Sequence, residues 1–241
     1  MIALQIEQKN FAEDAQPLFK NFGLKVEKGE VLAVLGPSGV GKSTLLRLIS
    51  GIDRQFSGSL AIDGQTVDKS APCGFVFQDP RLLPWCTSAQ NLSAVVPGIE
   101  KETILKLLSL VGLDANVSEH YPHQLSGGMQ RRLALARALA VNSTLLLLDE
   151  PFISLDSKLV STLHETFSEI IEDTKITAIL VTHSAEDVAA LADRVLILSG
   201  RPAVTRHEIT LKNQRRPRST KEILENLSQI KGTQSDGGTD D

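Results

Sequence analysis

Two cysteines, Cys73 and Cys86, are all that the 241 residues contain, too few for a disulfide scaffold or a four-ligand zinc site. Long apolar runs are missing as well. None approaches the roughly 20 residues that a membrane-spanning helix needs. Residues 1–14 carry no basic stretch followed by an apolar one, so no secretion signal is expected. A strong charge of one sign is also lacking. The formal net charge of −4 gives no bulk attraction to nucleic acid or acidic lipid, and no nucleic-acid partner is expected. No internal repeat is found. Low complexity is confined to residues 232–241, a polar, glycine-rich tail expected to be disordered. What is present is 41% hydrophobic and 22% charged residues, enough to bury one α/β core, with room for a small subdomain. A soluble, cytoplasmic protein is the expectation.

Along the chain, short β-type runs alternate with helical patterns. Val31–Leu35 and residues 74–77, 145–148, 176–181 and 195–198 are nearly continuous apolar runs. Such runs suit strands buried on both faces of a parallel sheet. Helical spacing falls between them, at residues 42–50, 129–141, 157–172 and 184–193. The beginning differs: residues 4–7, 18–26 and 59–62 read as short half-buried strands with turn signals at 27–30 and 63–64. Residues 88–128 hold helical pieces, including 101–111, and no strand. Near the end, residues 221–231 place Ile223, Leu224, Leu227 and Ile230 at helical spacing behind Thr220, a fitting N-cap. The fold predicted is a parallel α/β core with an antiparallel N-terminal β layer and an inserted helical region.

Gly36-Pro37-Ser38-Gly39-Val40-Gly41-Lys42-Ser43 fits G-x-x-x-x-G-K-[ST] and is followed by Thr44. It stands between an apolar strand and a helix, the context of a phosphate-binding P-loop. Glycines let successive N–H groups converge on an anion, aided by the helix N-terminus. Lys42 would then reach the outer phosphates and the Ser43 hydroxyl would hold Mg²⁺. The bland alternative is a glycine-rich turn with a solvated lysine. A run of leucines, 145–148, ends in Asp149 and Glu150. Lying beside the P-loop strand, it would bring both acids to the carboxyl end of the sheet, where ligands bind. Asp149 would serve the metal and Glu150 would polarise an attacking water. Alone, the two acids fit a helix cap equally well.

Gln124-Leu125-Ser126-Gly127-Gly128-Met129-Gln130 precedes a helix with Arg131, Arg132 and Arg137. Its start forms a second anion site, although an ordinary N-cap explains the serine just as well. Leu125-Ser126-Gly127-Gly128-Met129 resembles the signature of ATP-binding cassette (ABC) proteins, with Met129 where glutamine is commonest. It stands in the family order: P-loop, Gln78 after Phe75-Val76-Phe77, signature, Asp149-Glu150, Ser154-Leu155-Asp156, then His183 after Val181-Thr182. The resemblance covers residues 2–200 and implies a P-loop NTPase fold of the ABC ATPase type, binding ATP and Mg²⁺.

It further implies a homodimer, or paired cassettes, closing head to tail on two ATP. Ser126, Gly127 and Gly128 would contact the γ-phosphate across that dimer. Gln78 would sense Mg²⁺ and the attacking water, Asp156 would touch the partner site, and His183 would reach the γ-phosphate and support Glu150. Taken alone, His183 is an ordinary histidine after a strand. An aromatic before the P-loop stacks on adenine in this family. Counting back from Gly29-Glu30 gives Glu13, and Phe11 is the nearest aromatic; a loop or core role fits Phe11 equally. The division implied is an ABC ATPase domain over 1–211 with its helical subdomain at about 88–135. A linker and amphipathic helix would occupy 212–231, and the tail 232–241.

Asp79-Pro80-Arg81-Leu82-Leu83-Pro84-Trp85 resembles the corresponding segment of ATPase subunits of the nitrate, sulfonate and taurine importers, as does Tyr121-Pro122-His123-Gln124. Two prolines and an exposed-type Trp suit a docking groove, while Trp85 packed under the loop is the bland reading. The resemblance implies an importer ATPase at the cytoplasmic face of the plasma (inner) membrane. It would drive a separate integral membrane permease through a coupling helix seated near residues 78–91, with an extracytoplasmic substrate-binding protein as indirect partner. A soluble single-cassette ABC ATPase and an exporter subunit are the rival readings.

Overall fold

A computed structural model describes residues 1–11, 16–66 and 72–211. Glu13 and the amphipathic helix and tail expected beyond residue 211 lie outside the described residues. The N-terminal layer is an antiparallel sheet of β1 (Ile2–Lys9), β2 (Phe19–Val26), β4 (Ser57–Ile62) and β5 (Gln65–Thr66), ordered β2-β1-β4-β5. Period-two alternation turns Ile2, Leu4 and Ile6 of β1, with Phe22, Leu24 and Val26 of β2, to one buried face.

The second sheet combines β3 (Val31–Leu35), β6 (Gly74–Val76), β7 (Leu145–Asp149), β8 (Thr177–Val181), β9 (Arg194–Ser199) and β10 (Val204–Thr210), in the order β10-β9-β3-β8-β7-β6. Five strands are parallel and β10 pairs antiparallel with β9. Every residue of β7 and β8 is buried. That is why these strands read as unbroken apolar runs.

Among the described residues there are six helices: α1 (Lys42–Ile49), α2 (Ser88–Ser93), α3 (Lys101–Leu110), α4 (Gly127–Ala140), α5 (Ser157–Thr174) and α6 (Ala185–Leu191). On one face, Leu45, Leu46, Leu48 and Ile49 of α1 are enclosed between the N-terminal sheet and the β3, β7 and β8 side chains. On the other face a second core joins Leu108, Leu133, Leu163 and Phe167 of α3, α4 and α5 to Leu146 and Leu148. No strand falls within 88–128; two short 3-10 turns, Ala115–Glu119 and Pro122–Gln124, link α3 to α4.

Two expectations are corrected. β7 does not lie beside the P-loop strand, because β8 is inserted between β7 and β3. The two acids still emerge at the carboxyl edge, one strand further away. Val204–Thr210 forms a strand that the sequence did not announce. It is an edge strand, largely exposed, so it lacks the apolar run that marks its neighbours.

Candidate functional site: a phosphate loop at the sheet's carboxyl edge

The chain leaves β3 at Gly36 and enters α1 through Gly41, both with positive φ (151° and 113°). A Cβ on Gly36 would stand 2.6 Å from the Leu198 carbonyl oxygen, and one on Gly41 would stand 2.7 Å from the Phe19 ring. Side chains are therefore excluded where the loop grazes β9 and β2. Gly39 also has positive φ, with nothing within 4 Å of its Cβ position. Pro37, Ser38 and Gly39 are exposed, Val40 anchors the loop in the core, and Thr44 is half-buried on α1. This produces a backbone arch pinned at both ends and open at its crest. Phe19 was not anticipated as part of it; its apolar position on β2 was the only available signal.

Lys42 folds over the arch, its Nζ donating to the carbonyls of Gly36 at 2.8 Å and Pro37 at 3.0 Å. Burial depresses the Lys42 pKa, with Glu150 and Asp149 pulling against that shift. The Ser43 hydroxyl donates to Asp149 Oδ1 at 3.1 Å, which ties the helix start to the end of β7. Asp149 is 4% exposed, and burial raises its pKa against the opposing Ser43 hydrogen bond.

Glu150 follows in the left-handed region, φ 50°, and its N–H donates to Val181 O at 2.9 Å. A non-glycine residue held there is strained, a feature that clusters at working sites. Its carboxylate meets two others: Gln78 Nε2 at 3.4 Å and His183 Nδ1 at 3.7 Å. Gln78 follows β6, Glu150 follows β7 and His183 follows β8, so three strand ends supply one cluster. Lys42, Ser43, Asp149, Glu150, Gln78 and His183 are thus brought together.

The signature residues stand apart from this cluster. Ser126 caps α4, its hydroxyl accepting from Met129 N at 3.3 Å, and a Cβ on Gly127 would meet nothing within 4 Å. Gly128 faces Leu155, next to Asp156, whose carboxylate caps α5 by accepting from Lys158 N and Leu159 N. Phe11 is exposed, and the Lys9 ammonium lies 4.9 Å from its ring centroid.

The fold and the glycine loop define the class of P-loop nucleotide-binding proteins. Within that class the chain belongs to the ABC transporter family, whose profile matches residues 19–153. It is 40% identical over 206 residues to the aliphatic sulfonates import ATP-binding protein SsuB of Bacillus cereus, covering 84% of this chain and 81% of that one. It is 41% identical over 199 residues to the nitrate import ATP-binding protein NrtD of a Synechocystis strain, covering 80% and 74%. A dimeric post-hydrolysis ATP-binding cassette solved with ADP and Pi superposes with a TM-score of 0.79 at 29% identity, covering 89% of this chain and all of the other. The ABC ATPase fold expected from the sequence is therefore established.

Proposed function

We propose that the chain is the ATP-hydrolysing subunit of an ABC importer, powering uptake of a small solute of the nitrate, sulfonate or taurine kind, or a related organic compound. The observation that carries this reading is the convergence of Lys42, Ser43, Asp149, Glu150, Gln78 and His183 on one sheet edge, in a chain whose relatives are named as import ATP-binding proteins. Residues 1–211 would form the catalytic domain, with residues 88–135 as its helical subdomain.

The arch at residues 36–44 binds the ATP phosphates through its N–H groups, and Lys42 exchanges its loop carbonyls for phosphate oxygens. Ser43 and Asp149 offer a hydroxyl and a carboxylate oxygen 3.1 Å apart, hard donors that fit Mg²⁺. Bound there with Gln78 nearby, Mg²⁺ supplies charge neutralisation to the phosphates. Glu150 orients and polarises the water, and His183 holds the Glu150 carboxylate in place. Ser126, Gly127 and Gly128 serve the site of a second copy, while Phe11 is the candidate to stack on adenine.

A cavity of about 500 Å³ supports docking to an integral membrane permease. Phe75 and Phe77, stacked at 4.1 Å, and Ile52 and Val95 give it apolar walls; Arg81 and Arg137 give it a basic rim. Trp85, 73% exposed on the loop that follows Gln78, is a free aromatic anchor on the same segment. No helix among the described residues is long and apolar enough to cross a membrane. In this reading, which the import ATP-binding relatives support, transport runs through a separate permease, with this subunit peripheral at the cytoplasmic face and the binding protein contacted only indirectly.

Tagged Glu150→Gln, loaded with MgATP and used to capture partners from solubilised membranes, tests the proposal. A polytopic permease in the eluate is the expected result. Recovery of soluble partners alone would overturn the transport assignment while leaving the nucleotide chemistry intact. Lys42→Ala should weaken ATP binding, and unchanged affinity would remove the P-loop assignment.

A further inference from the structure

His183 is 69% exposed, and its recorded polar contact is the 3.7 Å approach to Glu150. Packing of its own ring therefore does little to fix its position. The backbone on either side must do so. Immediately behind it lies a polar cluster that the phosphate site does not use. Thr182 is 3% exposed and Asp187 5%. The Thr182 hydroxyl donates to Asp187 Oδ2 and accepts from the Ser184 N–H at 3.0 Å. Asp187 Oδ1 is bonded to His164 Nε2 at 2.8 Å. His164 is held in turn by Phe152, whose ring meets it edge-on at 4.9 Å.

Four elements meet in this chain of contacts: the end of β8, the first turn of α6, the middle of α5, and the segment after Glu150 that carries Phe152. A cavity of about 240 Å³ lies between residues 150–157 and 182–187. Thr182 and Asp187 lie on one side of it, and His164 of α5 ties Asp187 to Phe152 on the other. Buried polar groups are costly unless each is satisfied, so a fully connected set holds one geometry firmly.

We propose that Thr182, Asp187 and His164 form a positioning relay that sets the backbone of the His183 loop and registers it against α5. This inference rests on the function proposed above, in which His183 supports Glu150. His164 lies eight residues, about 12 Å, along α5 from the Asp156 cap. The helix that starts at the segment facing the second copy is therefore the one that steadies His183. Thr182, Asp187 and His164 are positioning residues; none reaches the reacting atoms.

The test is steady-state ATP turnover of the full chain bearing Thr182→Val, Thr182→Ser, His164→Leu or His183→Ala, with thermal melts and hydrogen exchange over residues 181–186. Thr182→Val and His164→Leu should each lower kcat about tenfold, with KM for ATP within about twofold. Thr182→Ser should restore most of the turnover, because it returns the hydroxyl. Exchange at the Ser184 amide should quicken in Thr182→Val, which lacks the acceptor. The relay is overturned if His183→Ala is inactive while Thr182→Val and His164→Leu turn over like the parent. Activity loss that follows only the unfolded fraction, with kcat per folded molecule unchanged, overturns it too. Should Thr182→Val fail to fold, His164→Leu decides alone, being remote from the loop. Parental turnover in His183→Ala would instead remove the function on which the relay rests.

Discussion

Asp149 is buried at the end of an apolar strand, and burial is the largest influence on its proton affinity, exceeding the Ser43 hydrogen bond that opposes it. A carboxyl whose folded pKa lies above its unfolded value binds protons more tightly in the native state. As pH rises past the ordinary carboxylate range, the unfolded chain releases that proton first, so the native state loses stability until the raised pKa is passed. Asp149→Asn removes this cost and keeps an acceptor for Ser43. The apo variant is expected to melt about 2–4 °C higher at neutral pH, the shift that roughly 1 kcal/mol produces in a chain of this size. The same variant should lose Mg²⁺-dependent turnover; an unchanged or lower melting temperature would show that the buried charge costs nothing. Glu150→Gln tests the neighbouring acid. Turnover should fall by about 10² to 10⁴-fold, the usual share of a general base, while MgATP affinity measured by titration is retained. That these residues would gather at one sheet edge was legible, because the motifs place fixed residue types at fixed spacing after apolar strands. Phe19 and the Thr182–Asp187–His164 chain were not, because a phenylalanine on a strand or a threonine after one has many uses.

Among the elements, the segment from Gln78 to α2 has no regular structure of its own, yet it is tied at both sides. Arg137 of α4 donates from Nη1 to Arg81 O and from Nη2 to Pro80 O, each at 2.8 Å. Asn91 of α2, fully buried, accepts from Leu83 N and donates to the carbonyls of Leu83, Cys86 and Thr87. Two helices thus hold the loop that presents Trp85. Asn91→Ala would take from the Leu83 N–H and the Cys86 carbonyl their side-chain partner, while Leu83 O and Thr87 O keep the backbone N–H groups of Cys86 and Asn91; urea unfolding should show a loss of about 2–3 kcal/mol. Arg137→Lys keeps the charge but loses the fork, with about 1–2 kcal/mol expected. Equal stability in both variants would mean the loop holds its shape without these ties. Helix and strand positions were readable here where burial is one-sided and periodic. Strand order was not: the leucine run of β7 looks the same whether it neighbours β3 or β8. The edge strand β10 was hidden because solvent leaves its polar residues in place.

At the scale of the molecule, the question is how Ser126 could meet a phosphate held by Lys42. Residues 127 to 140 of α4 extend about 21 Å, and the far end of that helix packs on β6, where a Cβ on Gly74 would stand 2.6 Å from Ala138 O. Three strand spacings, about 14 Å, separate β6 from β3. In the function proposed above the site would be completed by the signature of a second copy; the two solved cassettes similar to this chain are themselves dimeric. Two inactive variants make this measurable. Lys42→Ala breaks the loop, and Gly127→Asp places a charge in open space at the signature, where the monomer has nothing to clash with. If each site takes its loop from one copy and its signature from the other, a mixed dimer keeps one intact pair. Random exchange gives mixed dimers half the time, so mixing equal amounts should recover about a quarter of parental turnover where one site suffices. The double variant Lys42→Ala, Gly127→Asp mixed with wild type tests the converse, since both hybrid sites are then broken. No recovery from the two single variants, with dimer exchange verified by labelled chains, would mean either that each chain completes its own site or that both sites must be intact together. The double variant separates these outcomes: in-chain sites would leave its wild-type partner fully active, whereas shared sites would silence it in every mixed pair.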